Sequence, residues 1–504
     1  MSLFTRESTG LVREVGPLKA LLTSMGYNGF LVVPFVYLTG LYLYGGGGTA
    51  IIALFASWLM FIPGVFMWYL ITRQYPRTGG DYVYFSRLNP PVGFAAWFNF
   101  TVGEMLYDAV LVYFAVGQLG MVMKVLGNPW AGLILKPEYE FAVAVALVAV
   151  LILVNIASAR AGLTMFMVIS AVALSTFIAS AVYVAALSHS VVKSALGSVY
   201  SEALTYAGKA TPMGGLYGVL GMSAFTTAVW AYVNFPATIG GEIRRDRVTA
   251  ILGVLGMFIM GGLFFTAFIA SFIHAFGFSF YVGASYMNAN GVDDGYILIN
   301  PGADLALLRT PIAVALAYSS VLWYIAPVTG VIIQVSRYLL AFSMDRVLPE
   351  FFSYVHPRTH SPIAAHLFDL AVTVTLMYIL ALTPFSAALS YAIDLDALIL
   401  LVFTFIVAVL LALVMYIRGV VKLNANRPLL TALTAIYLVF LLVFAYYWLT
   451  QPQYYLSITG NPIQLLAESA VIFVAGLLVF ALASYIRGRQ GIPLSLVYEE
   501  IPPE

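Results

Sequence analysis

The chain is built from apolar runs of about 20 residues or more, the length a helix needs to cross the hydrocarbon core of a bilayer. In hydrocarbon every backbone N–H and C=O must find its partner inside the protein, so only helices and closed barrels span it. Runs of this length select helices. Hydrophobic residues make up 62% of the 504 and charged residues only 9%, against about 25% charged in soluble domains. The expected fold class is therefore an all-α integral membrane protein. We read twelve transmembrane helices: 19–44, 49–73, 91–125, 139–157, 161–187, 212–241, 248–276, 310–343, 363–382, 385–417, 429–450 and 465–486. No short apolar core with a small-residue cleavage site follows Arg6 and Arg13, so the first helix itself is read as the insertion signal.

An even number of spans puts both termini on one side. With that side inside, the outer segments hold only Lys124, Lys136, Lys193, Lys209 and Arg309 of the 23 Lys and Arg. Basic loops stay in the cytoplasm, so both termini are expected there, in a multi-pass protein of the cytoplasmic membrane. A net charge of +1 gives no electrostatic reason to expect nucleic acid. The absence of cysteine excludes disulfides and thiolate chemistry. No nucleophile elbow, phosphate loop or helical metal motif is present, so neither an enzyme nor a cofactor or metal site is expected. A channel is the other rival class.

Two spans carry weak helix formers at their centres. The first reads "TSMGYNGFLVVP" over 23–34, and the sixth reads "FTTAVWAYVNFPATIGGE" over 225–242. Glycine costs a helix interior about 1 kcal/mol and proline about 3. These spans open two consecutive groups of five, 1–5 and 6–10. Five is odd, so the second group is inverted relative to the first. Broken helices at matching positions of inverted halves point to a transporter's binding site. Half-helix N-termini attract a carboxylate, and freed carbonyls accept from an ammonium. One break supplying donors and the other acceptors suits a zwitterion, an α-amino acid. Tyr27 and Asn234 draw attention by their place at the breaks.

Three further stretches carry a family resemblance: "YPRTGGDYVYFSRLNPPVGF" (75–94), "GGEIRRDR" (240–247) and "SRYLLAFSMDRVLPEFF" (336–352). They resemble the loop after helix two, the close of helix six and the exit of helix eight in the amino acid–polyamine–organocation (APC) superfamily. The resemblance covers roughly residues 15–420. It implies a LeuT-like 5+5 inverted repeat plus two C-terminal helices, and secondary transport of amino acids by alternating access. The domains are then an N-terminal segment 1–18, a first repeat 19–190, a second repeat 211–418, a helix pair 429–487 and a tail 488–504. The resemblance further implies that Asn28 and Gly29 take the substrate carboxylate, with the Met25 carbonyl on the amine side. At the second break it matches Trp230, Ala231, Tyr232 and Val233. There the Trp230 and Val233 carbonyls would take the amine and the Tyr232 ring would act as a gate. The first break often reads Gly-Ser-Gly in the family and reads "GYNG" here. A permease for polyamines or other organic amines is the alternative within the superfamily.

Span three holds two acids four residues apart, Glu104 and Asp108, on one helix face. Intramembrane acids are functional hypotheses by default. Asp108 falls where family members present a third-helix side chain to the substrate. The paired eighth-helix hydroxyls of sodium-coupled relatives are not matched at Thr329, and residues 161–187 contain no lysine. That leaves a proton on Glu104 or Asp108, or uncoupled exchange. Asp394 and Asp396 are expected to have a structural or rim role. Asp293 and Asp294, in the long outer connection 277–309, are expected in a solvated loop. His356, His360, His366 and Asp369 are expected to be solvated residues around a basic turn rather than metal ligands.

Overall fold

The computed structural model describes residues 9–226, 229–230, 232–244, 246–292, 295–383, 399–450 and 462–502. Among these residues the chain is helical, with no strand beyond two isolated bridges, Val15 to Ile243 and Thr78 to Ile239. Among the described residues, nine helical segments are long and apolar enough to cross a membrane: Gly46–Gln74, Pro90–Val125, Pro137–Ala157, Ala159–Ala185, Arg247–Phe276, Pro311–Met344, Ile363–Leu382, Arg427–Thr450 and Pro462–Arg489. Each coincides with an expected span to within a few residues. The expected spans 19–44 and 212–241 are missing from that set because their helices are interrupted. The expected span 385–417 lies partly outside the described residues, as do Asp394 and Asp396.

The helices begin where their sequences direct. Helix α1 (Pro17–Tyr27) opens on proline at its first position, where the missing N–H costs nothing. Helix α2 (Val33–Thr39) continues the first span beyond the interruption. The second span is stepped into α3 (Thr49–Met60) and α4 (Ile62–Gln74), with Pro63 in the first turn of α4. Gly79 precedes α5 (Gly80–Leu88) with φ +61°, a left-handed turn that glycine tolerates, and its N–H donates to Thr238 O at 2.7 Å. Helix α6 (Pro90–Val125) is capped by Asn89, whose side chain accepts from Val92 N at 3.3 Å. Helices α7 (Pro137–Ala157) and α8 (Ala159–Ala185) follow, then α9 (Gly215–Ala224) and the single turn α10 (Phe235–Thr238). Beyond α11 (Met257–Phe276) lie α12 (Phe278–Ala289), α13 (Val321–Met344), α14 (Ile363–Leu382), α15 (Arg427–Thr450) and α16 (Pro462–Arg489).

Helices α6, α8 and α13 form the centre. Helix α13 packs along α6, α8 packs on both α1 and α13, and α14 leans on α6, α7 and α13. The apolar core encloses the end of α1 and the turn after it: Met25, Tyr27, Phe30 and Leu31 are buried.

Two expectations are corrected. The outer connection 277–309 is not a solvated loop. It folds into α12 and Pro301–Leu307, and Ser285, Asn300 and Asp304 turn inward. Asp304 is buried and accepts from Tyr281 Oη at 2.8 Å. Asn300 caps the second helix and donates to Gln118 of α6 at 2.8 Å. Asp293 and Asp294 lie outside the described residues. His366 and Asp369 are likewise not solvated. Both lie inside α14, whose bounds match the expected span 363–382, and both side chains fall on its buried face. His356 and His360 stay in the connection.

The three sequence stretches that carry the family resemblance meet on the face where both chain ends lie. Arg337 Nε and Nη2 donate to the two Glu242 carboxylate oxygens at 2.8 and 3.0 Å. Arg87 grips Asp345 in the same bidentate way, Nη2 to Oδ1 at 2.7 Å, and Tyr82 Oη donates to Asp345 Oδ2 at 2.7 Å. All four charged side chains are at most 2% exposed. The N-terminal segment pairs alongside, with Val15 N donating to Glu242 O at 2.9 Å. The C-terminal tail closes over the other pair: Tyr498 Oη meets Tyr82 Oη at 2.8 Å, and Arg87 Nε donates to Glu500 O at 3.1 Å. Removing one partner of a buried pair strands the other charge and costs about 3–5 kcal/mol. An exposed pair such as Arg160–Glu14, with Arg160 77% exposed, is worth about 0–1 kcal/mol. Asp345→Ala is therefore expected to lower the thermal midpoint of the detergent-solubilised protein substantially, while Glu14→Ala leaves it near wild type. Equal midpoints for the two variants would contradict this assignment.

Candidate functional site: two facing helix breaks

The first break is one turn deep. Helix α1 ends at Tyr27, and Asn28 adopts an extended conformation (φ −63°, ψ 136°). Its N–H still donates to Ser24 O at 3.0 Å, and its Oδ1 accepts from Phe30 N at 3.3 Å. The chain restarts as a 3₁₀ turn, Gly29–Leu31, before α2. Asn28 thus caps the restart with its own side chain, as Asn does in place of a helical carbonyl. The glycines here are spatial requirements. A Cβ on Gly26 would lie 1.9 Å from Ser170 Oγ of α8, and a Cβ on Gly330 of α13 would lie 2.6 Å from the Tyr27 ring.

The second break follows α9. Val229 and Trp230 are helical, Tyr232–Asn234 form a 3₁₀ turn, and α10 resumes at Phe235 with Pro236 in its first turn. Ala231 and the Tyr232 side chain lie outside the described residues. The Trp230 ring is buried against Phe258 (5.2 Å between centroids), with its Nε1 3.5 Å from Ser57 Oγ. The ring thus points into the packing, and Val233 is also buried.

The two breaks meet. The Tyr27 ring stacks on Phe235 with centroids 4.7 Å apart and planes inclined by 26°, and Phe166 of α8 abuts Phe235 edge-on. From there a buried polar chain runs to the face with the chain ends. Tyr27 Oη donates to Gln334 Oε1. Gln334 Nε2 donates to Thr238 Oγ1 at 3.0 Å. Tyr338 Oη donates to Asp81 Oδ2 at 2.7 Å, and Asn234 Nδ2 donates to the same oxygen at 2.9 Å. Asn234 is therefore committed to Asp81 through its amide nitrogen. Asn28 Nδ2, Ser24 Oγ and Ser170 Oγ are buried and make no hydrogen bond among the described residues.

Of the expected site residues, Tyr27 meets the second break through the Phe235 ring and Asn234 joins the polar chain that starts at Tyr27; Met25, Asn28 and Gly29 are buried beside Tyr27 in sequence, and Trp230 and Val233 are buried just before Phe235. Glu104 and Asp108 are fully buried on α6. Asp108 lies within electrostatic reach of Asp369 on α14. Sequence reasoning missed Asp81, Gln334 and Tyr338. The signal was available: Gln334 and Tyr338 are four apart in an apolar span, the same spacing that singled out Glu104 and Asp108. Among the described residues, no group of three His, Asp or Glu is placed to hold a metal ion.

The amino acid permease family model matches residues 20–477, nearly the whole chain. The chain belongs to that family, within the APC superfamily. It is a multi-pass membrane protein and a transporter of amino acids or related organic cations, not an enzyme. No curated protein matched the chain.

Asp81, on α5 outside the spans, gives the network a pH dependence. Burial pushes its carboxyl above the ordinary range, against the pull of the hydrogen bonds from Tyr338, Asn234 and Tyr82 N. A carboxyl raised in the folded state contributes stability that is present below its unfolded value and is lost as pH rises through the folded one. Wild-type thermal stability should carry a component that falls from acid towards neutral pH, and Asp81→Asn, isosteric and uncharged, should remove it. The same slope in both proteins would show that the Asp81 carboxyl does not set it.

Proposed function

We propose that this protein moves α-amino acids across the cytoplasmic membrane by alternating access. In this reading the chain forms two inverted five-helix repeats, 19–190 and 211–418, followed by two further helices. Both termini lie in the cytoplasm, as the basic residues direct. The observation that carries the reading is the junction of the two breaks. Two interrupted helices face each other inside a fully buried centre, and Asn28 brings an unpaired amide donor to it.

A buried donor or acceptor left unsatisfied costs about 1–3 kcal/mol, and a bound zwitterion removes that cost at several atoms together. The carboxylate accepts from the Asn28 amide and from N–H groups at the Gly29 restart. The last carbonyls of α1, Met25 among them, have no helical donor above them and accept from the ammonium. The Trp230 and Val233 carbonyls complete the amine side, and the ring of Trp230 takes no part because it faces Phe258. A polyamine has no carboxylate to use the Asn28 donor, which favours the amino acid. Closure comes from Tyr27 and Phe235 stacking across the junction and from the ion pairs on the face below. Transport then requires Arg337–Glu242 to part and reform as the centre opens to the cytoplasm.

Purified protein in proteoliposomes should take up a labelled amino-acid mixture. Competition by individual unlabelled amino acids identifies the substrate. Gly29→Leu should abolish both uptake and binding while the protein stays monodisperse, because the side chain fills the carboxylate position. Uptake competed by spermidine but by no amino acid, or wild-type binding in Gly29→Leu, would overturn the reading.

A further inference from the structure

Helix α8 leaves the face with the chain ends, where Ala159 N donates to Thr359 O and His360 Nδ1 meets Gly10 O. At its far end two short helices follow, His189–Leu196 and Ser198–Ala207. The first packs on α11 and the second along α12. Gly283 of α12 admits the second, since a Cβ there would lie 1.8 Å from Ala203 O. The pair meets the joint between α11 and α12 at Gly277, whose φ is +95°. A Cβ on Gly277 would lie 2.8 Å from His189 Cε1 and 3.0 Å from Tyr200 Oη. The bare glycine thus lets both rings reach the last carbonyls of α11, which have no donor within their own helix.

Three direct contacts result. His189 Nδ1 stands 3.1 Å from Ala275 O, His189 Nε2 stands 2.9 Å from Tyr200 Oη, and Tyr200 Oη stands 2.9 Å from Phe276 O. Both ends of this chain are carbonyl oxygens, which only accept. A neutral imidazole carries one N–H and a phenol one O–H, so two hydrogens serve three contacts. Either tautomer leaves one contact with lone pairs facing each other. A hydrogen on both ring nitrogens completes all three.

We propose that His189 and Tyr200 form a proton-binding clip at the Gly277 joint, in which the imidazolium donates to Ala275 O and to Tyr200 Oη, and Tyr200 donates to Phe276 O. The step is a single protonation: hydronium gives up a proton, a ring nitrogen gains an N–H bond, and water is left. His189 is exposed, so the proton arrives from solvent. Tyr200 is buried, and burial holds its phenol above the ordinary range, so it keeps its hydrogen. The cation faces the negative end of α11. Imidazole is the side chain whose charge ordinarily changes between about pH 5 and 8, so the clip closes in acid and opens in alkali.

The neighbouring titratable groups are otherwise placed. Lys193 on the same helix, Glu202 on the next and His274 on α11 are exposed. Tyr206 lies under Lys209 Nζ, Tyr183 of α8 bonds to Thr310, and Tyr281 of α12 holds Asp304. Among the described residues none forms an ion pair with His189. Tyr200 also stacks on Phe280 of α12 with centroids 5.3 Å apart, and Ser285 of α12 donates to Thr39 O at the end of α2. The proton therefore fastens α12, and with it the part of span one beyond the first break, to the end of α11. Which compartment supplies the proton rests on the topology proposed above, whereas proton binding itself does not.

The test is electron paramagnetic resonance of a nitroxide on Val191→Cys, at an exposed position of the first short helix in a chain with no other cysteine. With no substrate present, the spectrum should be immobilised in acid and become mobile as pH rises through about 5 to 8. His189→Gln, which cannot take the proton, should abolish this transition. Tyr200→Phe, which removes the relay and keeps the ring, should lose the immobilised component in acid. His274→Gln should keep the transition. A spectrum independent of pH in the unmodified background, or a transition that survives His189→Gln, overturns the clip. A full transition in Tyr200→Phe overturns the relay, and its loss in His274→Gln alone assigns the proton elsewhere. Because no substrate is needed, these outcomes do not depend on whether amino acids are transported.

Discussion

A helix broken inside a bilayer must find partners for its freed backbone groups within the protein, since each unpaired group in hydrocarbon costs several kcal/mol. This constraint organises the rest of the molecule. The restart after Asn28 is enclosed by α8, α11 and α13, and the turn at Tyr232–Asn234 packs on α4. Asn28 meets part of the demand with its own side chain. Gly26 and Gly330 let α8 and the Tyr27 ring come close enough to exclude lipid and bulk water. At the junction Asn28 Nδ2, Ser24 Oγ and Ser170 Oγ are buried without a hydrogen bond among the described residues, and a small zwitterion carries the groups to pair with them.

The second constraint is charge. Four buried charged side chains would be costly alone, and here each is held in a bidentate pair. Arg337–Glu242 joins the end of span eight to the close of span six, and Arg87–Asp345 joins the loop after span two to the exit of span eight. Between them the chain Tyr27, Gln334, Tyr338 and Asp81 links the junction to the ion pairs. Both terminal segments lie against this lock, the first beside Glu242 and the last over Arg87. Pairs of this kind add little net stability over apolar packing but are expensive to break singly, a property suited to an element with two discrete states.

Much of this was legible beforehand. Long apolar runs located nine spans to within a few residues. Gly26, Asn28, Gly29 and Pro236 marked both breaks, because weak helix formers in hydrocarbon need a local reason. The three family-like stretches were legible as motifs, but not as one interlocking cluster, since pairing residues some 95 to 260 positions apart is a property of the packing. Polar composition also misled at 277–309, where Asn and Tyr read as solvated. There Asn300 caps a helix and Tyr281 satisfies a buried acid, so polarity served internal bonding. His366 and Asp369 were read as solvated although the expected span 363–382 already held them; their i,i+3 spacing turns both onto its buried face. Asp108 was recognised as out of place in lipid, but Asp369, within its electrostatic reach, lies on a helix that sequence alone does not bring near.

The central claim is that breaking the Arg337–Glu242 lock opens the junction to the side where the chain ends lie. The chain has no cysteine, so a single one introduced at Ser24, in the last turns of α1, can be followed without background. The measurement is the labelling rate of Ser24→Cys in oriented proteoliposomes by a membrane-impermeant thiol reagent supplied from that side. Labelling should be slow with the lock intact, faster when Glu242→Gln is added, and slowed again by the transported amino acid. A rate that ignores both Glu242→Gln and the amino acid would show that the ion pair is not a gate and that the facing breaks are not the site.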